Sequence, residues 1–188
     1  MDYHMNIVPA KLEGVYTIET KIATDARGDF MKVFHLDSFA QHGLQTTFEE
    51  SYYSTSAKNV IRGMHFQIPP KDHAKLVYVT NGAVLDVVVD LRKGSPSYGH
   101  YERFELNDEN RLAIYISTGF GHGFLSLRDN TAVIYLQTTM RSAEHEGGIL
   151  FDSFGLDWEV PGPILSERDK KFPTLGQFIT PFVYRRGV

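Results

Sequence analysis

The chain has 188 residues, no cysteine and a net charge of −4, with both signs mixed along the sequence. Such a composition predicts one globular domain over residues 1–188, and it excludes a disulfide framework, a thiolate metal site and the basic footprint of a nucleic-acid-binding protein. No apolar run is long enough to cross a membrane, and the first residues lack the pattern of a signal peptide, so we expect a cytoplasmic protein with no membrane partner.

Short β-prone runs separated by turn residues follow one another along most of the chain. These runs cover residues 15–18, 76–79, 83–91, 100–106, 112–116 and 132–138. Helical signals are weak: one short helix is predicted to begin at Asp37, and another follows Ser166, which is typical of a helix N-cap. Many short strands at this spacing predict an all-β sandwich or barrel.

The run from 83 to 91, AVLDVVVDL, carries two carboxylates on one face. Strand alternation places Asp86 and Asp90 on the same side as Val84 and Val88. One interpretation is that this face meets solvent, as in an ordinary antiparallel sheet. The other is a barrel interior that carries polar chemistry, and the pattern leaves both open.

Two of the eight histidines have unusual neighbours. His65 lies in VIRGMHFQ, three residues after Arg62, and His122 lies between two glycines in GFGHGF. Glycine next to a histidine allows a ligand or another backbone segment to approach closely. The structural alternative is a histidine held by backbone carbonyls near a turn, and for either histidine alone this alternative is favoured.

Three further side chains are candidates for chemistry, and each has a structural alternative. Lys75 shares a strand face with valines. Either its charge is buried there, which would be costly, or its side chain reaches solvent at the end of the strand. Tyr135 lies inside a β-prone run, where a tyrosine often needs only a hydrogen-bond partner. Asp169 stands three residues after Ser166, a position at which a carboxylate often caps a helix.

A metal site is not expected. Metal-binding proteins of the double-stranded β-helix type typically carry two histidines one residue apart, followed by a carboxylate and a distant histidine. Here Phe66 and Gln67 follow His65, so the second histidine of the pair is missing. Ligands at a suitable spacing for zinc or iron are absent from the sequence pattern.

Six segments, in order, resemble the dTDP-4-dehydrorhamnose 3,5-epimerase family, from about Leu12 to about Phe172. The segments are ARGDFMKVF, VIRGMHFQ, AKLVYVTNGAVLDVVVDLRKGSPSYG, TGFGHGFLSL, AEHEGGILFDSFGLDW and ILSERD. The resemblance implies a cupin jelly roll that uses neither a metal nor an organic cofactor. It also implies a homodimer in which an N-terminal arm, about 1–35, is exchanged between subunits, with short helices at about 163–188.

The resemblance also implies roles for individual residues. His65 matches the base that abstracts a proton, and Asp169 matches the carboxylate paired with that base. Tyr135 matches the group that returns a proton. Lys75 matches the cation near the 4-keto oxygen. Residues expected to contact the nucleotide-sugar substrate are Arg27, Phe30, Glu50, Tyr52, Arg62, Gln67, Asp86, His122, Arg141 and Lys170.

Some matched positions depart from the family pattern. Lys32 stands at a position where the family carries a glutamate. Glu50 and Tyr52 replace a Gln-x-Asn pair, and Arg141 replaces a second tyrosine. These positions belong to the nucleotide end of the family's site. We therefore expect the sugar chemistry to be retained, with a nucleotide that need not be dTDP.

The function predicted from the sequence is epimerisation of a nucleotide-linked 4-keto-6-deoxyhexose at C3, C5 or both, in deoxysugar and O-antigen biosynthesis. An epimerase acting on one carbon of a CDP- or GDP-sugar is the alternative within this class. A non-catalytic sugar-nucleotide-binding cupin and a metal-dependent cupin are the alternatives outside it.

Overall fold

A computed structural model describes residues 5–186, and the regular secondary structure within them consists almost entirely of antiparallel strands. The elements are β1 (Met5–Pro9), β2 (Val15–Thr20), β3 (Ala23–Asp25), β4 (Gly28–Phe30), α1 (Leu36–Gln41), β5 (Glu50–Ser56), β6 (Ile61–Gln67), β7 (Lys75–Asn81), β8 (Ala83–Asp90), β9 (Tyr101–Asn107), β10 (Ala113–Ile116), β11 (Phe120–Ser126), β12 (Thr131–Gln137), β13 (Glu146–Gly148) and a 3-10 turn, Asp169–Lys171. The six runs predicted from the sequence are all strands.

Two sheets face each other. One has the order β1-β2-β10-β7-β12-β5 and the other β13-β6-β11-β8-β9. Apolar side chains from both sheets meet between them, including Val77 and Val133 from the first and Val88 and Phe124 from the second. The all-β jelly-roll prediction is confirmed.

The outer faces of both sheets are covered as well. Phe39 of α1 packs on the first sheet with Leu76 and Tyr115, while residues of the 149–182 segment, such as Trp158, pack on the second. Because β8 is buried on both faces, its sequence is apolar at nearly every position. The solvent interpretation of its two carboxylates is therefore wrong, since Asp86 and Asp90 are both fully buried.

Strand β6 is irregular at the place where it carries its functional side chains. His65 lies opposite His122 and Arg62 lies opposite Phe124, with a register shift between the two pairs. His122 and Phe124 are two residues apart on β11 and share a face. The shift therefore brings Arg62 and His65, three residues apart, to the same face of the sheet.

Gly63 makes this irregularity possible. Its φ is +140°, and a Cβ placed on it would lie 2.5 Å from the Cα of Gly123 on β11. A side chain at position 63 would therefore have to push the two strands apart. Glycine is required here for both its backbone angle and its lack of a side chain.

Both ends of the chain differ from the expected boundaries. Residues 5–20 of the predicted arm form β1 and β2 within the first sheet, and only the β3–β4 hairpin stands apart from both sheets. The predicted C-terminal helices reduce to the single 3-10 turn among residues 163–186. Positions 1–4 and 187–188 of these two segments lie outside the described residues. No helix in residues 5–186 is long and apolar enough to cross a membrane.

Candidate active site

A cavity of about 250 Å³ opens between the two sheets, where β5 and β7 begin and β6 and β12 end. Six of the residues singled out from the sequence line it: Glu50, Tyr52, His65, Gln67, Lys75 and Arg141. Sequence reasoning did not find the remaining lining residues: Phe66, His73, Gln137, Glu146 and Arg168. Arg168 and Glu146 lie within the quoted motifs ILSERD and AEHEGG, so the motifs contained them without assigning them a role.

His65 and Asp169 form a hydrogen-bonded pair at the cavity wall. His65 Nε2 lies 2.9 Å from Asp169 Oδ1; the histidine side chain is 32% exposed and the aspartate side chain 4%. The other carboxylate oxygen accepts the backbone N–H of Gly63 at 3.4 Å. With the imidazole proton on Nε2 facing the carboxylate, Nδ1 is the basic nitrogen.

The 3-10 turn holds Asp169 in this position. The hydroxyl of Ser166 accepts the backbone N–H of Asp169 at 3.0 Å, as expected of an N-cap residue. Ser166 thus does the capping, while the Asp169 carboxylate turns toward the histidine. The helix-cap interpretation of Asp169 is wrong.

The protonation states suit a general base. Burial lowers the pKa of His65, and the hydrogen bond to Asp169 opposes that effect without cancelling it. For Asp169, burial acts to raise the pKa, but hydrogen bonds from His65, Ser166 and Gly63 outweigh it and hold the pKa below its usual value. At neutral pH the pair is a neutral imidazole next to a carboxylate.

Lys75 is buried rather than extended to solvent. It is 6% exposed, and its Nζ donates a hydrogen bond to the backbone carbonyl of His65 at 3.2 Å. Burial lowers its pKa to about 8, although Asp86 acts in the opposite direction. The strand-end interpretation of Lys75 is therefore wrong, and its ammonium group lies next to the His65 backbone.

A second histidine–carboxylate pair lies deeper between the sheets. His122 Nε2 is 2.8 Å from Asp86 Oδ2, and both side chains are buried. The pairing explains one of the two carboxylates on β8. The other, Asp90, instead binds Arg92, Ser95 and Ser97 and fixes the turn that follows the strand.

Tyr135 lies against Tyr52, its cross-strand neighbour between β12 and β5. The rings stack with centroids 4.8 Å apart, and the Tyr52 hydroxyl accepts a hydrogen bond from Gln137 Nε2 at 2.5 Å. Burial raises the pKa of Tyr135, and it raises that of Tyr52 to about 12. Both phenols are therefore protonated at neutral pH and able to donate a proton.

The cavity rim carries a charged cluster centred on Glu146. Its carboxylate accepts hydrogen bonds from Arg141 at 2.7 Å and 3.2 Å and from Arg168 at 2.8 Å. Glu50 accepts the backbone N–H of Arg141 at 2.6 Å. Two guanidinium groups and two carboxylates thus meet where a ligand would enter.

Several predicted contact residues lie elsewhere in this chain. Arg27 and Phe30 are on the exposed β3–β4 hairpin, where Arg27 pairs with Asp25. Lys170 pairs with Glu167 at the surface and does not line the cavity; Arg168 does. Arg62 binds Ser56 and the Thr55 carbonyl at the other end of β6.

Within residues 5–186, no group of three histidine, aspartate or glutamate side chains is arranged to hold a metal ion. His65 and His122 are each paired with a single carboxylate.

The family model of dTDP-4-dehydrorhamnose 3,5-epimerase matches residues 9–177 of this chain. The chain belongs to the dTDP-4-dehydrorhamnose 3,5-epimerase family. Its members are isomerases, and the described cavity is the candidate active site of this epimerase-family chain.

Relatives of this epimerase family include enzymes that differ in the carbons they invert. The chain is 40% identical to the dTDP-4-dehydrorhamnose 3,5-epimerase of Methanothermobacter thermautotrophicus, over 89% of this chain and 93% of that protein. It is 39% identical to the dTDP-4-dehydrorhamnose 3-epimerase of Streptomyces niveus, over 88% and 82%. The structure of dTDP-6-deoxy-D-glucose-3,5-epimerase from Legionella pneumophila Philadelphia 1, in complex with dTDP-4-keto-L-rhamnose, superimposes with a TM-score of 0.91 at 32% identity, covering 97% of this chain and all of that one.

Proposed function

We propose that this chain inverts C3, C5 or both carbons of a nucleotide-linked 4-keto-6-deoxyhexose by proton transfer through an enolate. The observation that carries this proposal is the His65–Asp169 pair at the cavity wall. The Lys75 ammonium group donates a hydrogen bond to the backbone carbonyl of His65. A base, its orienting carboxylate and a cation for the developing oxyanion are therefore close together.

The chemistry assigns each group a task. A 4-keto group acidifies the hydrogens on C3 and C5, and His65 Nδ1 removes one of them. Asp169 keeps the imidazole in the required tautomer and stabilises the imidazolium that forms. Lys75 stabilises the charge on the former carbonyl oxygen, and Tyr135 returns a proton from the opposite side. Only protons move, so the reaction calls for no redox cofactor.

The nucleotide end of the site supports a second part of the proposal. Glu50, Tyr52 and Arg141, which depart from the family pattern, all line the rim of one cavity. Arginine and carboxylate groups at this rim replace uncharged partners and change which base edges can be bound. We therefore expect dTDP to have little advantage over CDP, GDP or UDP.

The nucleotide proposal is tested by titrating the protein with dTDP, CDP, GDP and UDP in calorimetry. We expect dissociation constants within about tenfold of one another, equivalent to roughly 1.4 kcal/mol. A matched control is the triple variant Glu50→Gln, Tyr52→Asn and Arg141→Tyr, which should gain preference for dTDP. A clear dTDP preference in the unmodified protein would overturn this part of the proposal.

We also propose a homodimer with exchange of the β3–β4 hairpin, in a cytoplasmic enzyme. Support comes from Phe30, which is 53% exposed on that hairpin, and from Arg27, whose side chain is 89% exposed. An exposed aromatic side chain close to a guanidinium group suits binding of a phosphate-bearing ligand held by a neighbouring subunit.

The decisive experiment is proton NMR in D₂O with dTDP-, CDP- and GDP-4-keto-6-deoxyglucose, following the H3 and H5 signals. Loss of both signals would establish inversion at both carbons. Loss of one would establish the single-carbon alternative, which the similarity to the Streptomyces niveus 3-epimerase favours as second candidate. No exchange with any of the three sugars would contradict the epimerase proposal and leave a sugar-nucleotide-binding protein.

A further inference from the structure

His73 is a buried side chain in the cavity wall to which the mechanism above gives no task. It lies two residues before Lys75, just ahead of β7, and is 8% exposed. It lines the candidate active-site cavity together with His65 and Lys75. It also lines a small adjoining chamber of about 10 Å³, with Lys75, Ser117 and His122.

The hydrogen bonds of Gln67 determine which nitrogen of His73 carries the proton. Gln67 Oε1 accepts the backbone N–H of Ser142 at 2.6 Å, and its Nε2 donates to the Lys71 carbonyl at 2.7 Å, so the amide orientation is fixed. The same Nε2 faces His73 Nδ1 at 3.2 Å and the Met140 carbonyl at 3.3 Å. Because an amide NH₂ group donates, Nδ1 is the acceptor and the ring proton is on Nε2.

The Nε2–H donor of His73 has no acceptor among residues 5–186. A buried donor without a partner is rare in folded proteins and is costly unless water or a ligand satisfies it. The chamber next to it has room for about one oxygen atom of the size of a water molecule. Lys75, whose ammonium group has three N–H donors and uses one on the His65 carbonyl, lines the same chamber.

The imidazole of His73 is uncharged at neutral pH. Burial, together with the charges of Lys75 and His122, lowers its pKa to about 3. A neutral imidazole cannot compete with His65 for protons, but its N–H can donate to an oxygen on which negative charge develops.

We propose that His73 is a further catalytic residue, whose Nε2–H donates a hydrogen bond to the C4 oxygen of the substrate in the chamber shared with Lys75. This inference rests on the proposed epimerase function. When His65 removes the proton from C3 or C5, the electron pair moves into the C–C bond and onto the C4 oxygen. His73 and Lys75 then donate to that oxygen from two sides, and both hydrogen bonds strengthen as the charge grows.

Two variants separate the donor from the shape of the side chain. His73→Met keeps a side chain of similar length without a donor, whereas His73→Gln places an amide N–H near the position of Nε2. We expect His73→Met to lower kcat by about 10²-fold, the usual cost of losing one such donor. His73→Gln should retain most of the activity, and KM should change by no more than roughly threefold in either variant.

Three measurements make the test decisive. Both variants should melt cooperatively as folded proteins and bind the free nucleoside diphosphate as the unmodified protein does, so a loss of kcat reports on the sugar end of the site. Wild-type kcat in folded His73→Met would overturn the inference.

A crystal structure with bound substrate should place the C4 oxygen within hydrogen-bond distance of Nε2; a water molecule there, with the C4 oxygen elsewhere, would also overturn it. Failure of the epimerase proposal is distinguished because the unmodified protein would then exchange no protons.

Discussion

His65 and Asp169 are 104 positions apart in sequence and form one chemical unit. Ser166 holds the backbone of Asp169 and the Gly63 N–H binds its carboxylate before any substrate arrives, so the imidazole needs little reorganisation when it accepts a proton. The effects of removing the two residues should therefore be less than additive, because removing either one leaves the other without its task.

We expect His65→Ala to lower kcat by about 10²–10⁴-fold, roughly 3–5 kcal/mol of barrier, with the fold kept. Asp169→Asn should cost a similar factor, and the double variant should be little worse than either single variant. Steady-state kinetics and circular dichroism check the effect. Normal turnover by His65→Ala would show that another group is the base.

The pH profile of activity follows from the same residues. His65 must be neutral, and burial lowers its pKa, so the acid limb of kcat/KM should lie below the usual histidine value of about 6.5. Lys75 must be charged, and its pKa is lowered to about 8, so activity should fall as the pH rises through that value. Lys75→Arg should move the alkaline limb to higher pH. An alkaline limb that stays near pH 8 in this variant would assign it to another group.

Burying the Lys75 charge should reduce the stability of the fold. Lowering the pKa from 10.5 to about 8 corresponds to roughly 3 kcal/mol for holding the charged form. The unfolded chain binds more protons than the folded one between these two values, so this cost is full below pH 8 and decreases as the pH rises toward 10.5. We expect Lys75→Met to raise Tm at pH 7 while it reduces turnover. The exposed Lys58→Met is the control, and equal Tm changes in the two variants would contradict the argument.

At the scale of the elements, the site depends on the irregularity of β6 next to β11. The register shift brings Arg62 and His65 to one face, and Gly63 lets the two strands approach. A regular strand would place these two side chains on opposite faces. The element that holds the base is therefore shaped by a residue that takes no part in the chemistry.

Gly63→Ala tests this dependence, with Gly94→Ala as its matched control. Both glycines have positive φ, +140° and +84°, but a Cβ at position 94 meets no heavy atom within 4 Å. The control should lose about 1 kcal/mol of unfolding free energy from backbone strain, and Gly63→Ala should lose at least about 2 kcal/mol more, together with most of the activity. Urea unfolding checks the difference, and equal losses would show that the strands can separate without cost.

In the proposed dimer, each active site is completed by the β3–β4 hairpin of the partner subunit. We expect two inactive variants, Arg27→Ala and His65→Ala, to recover activity when co-expressed, because a mixed dimer would contain one intact site. Random pairing gives about one quarter of the wild-type sites. Co-expression of His65→Ala with Asp169→Ala is the control and should recover nothing, since both residues act within one chain. Failure of the first pair to recover would contradict hairpin exchange.

Six of the thirteen strands in residues 5–186, the all-β class and the main candidate residues could be predicted from the sequence alone. Strand alternation and turn residues are local signals, so runs such as 83–91 and 132–138 could be assigned without knowledge of the fold. His65, Lys75 and Asp169 were found because each stands in a motif that the chain shares with its family.

The contacts of those residues depend on the tertiary structure. Pairings across 36 or 104 positions, such as Asp86 with His122 and His65 with Asp169, depend on sheet topology, which local patterns do not encode. Burial likewise had to be seen: Lys75 and the carboxylates of β8 were ambiguous because the same alternation fits a solvent face and a barrel interior. The cavity is lined by residues from two sheets, a rim loop and the segment at the 3-10 turn. Only this arrangement shows that its lining includes His73, Arg168 and Glu146.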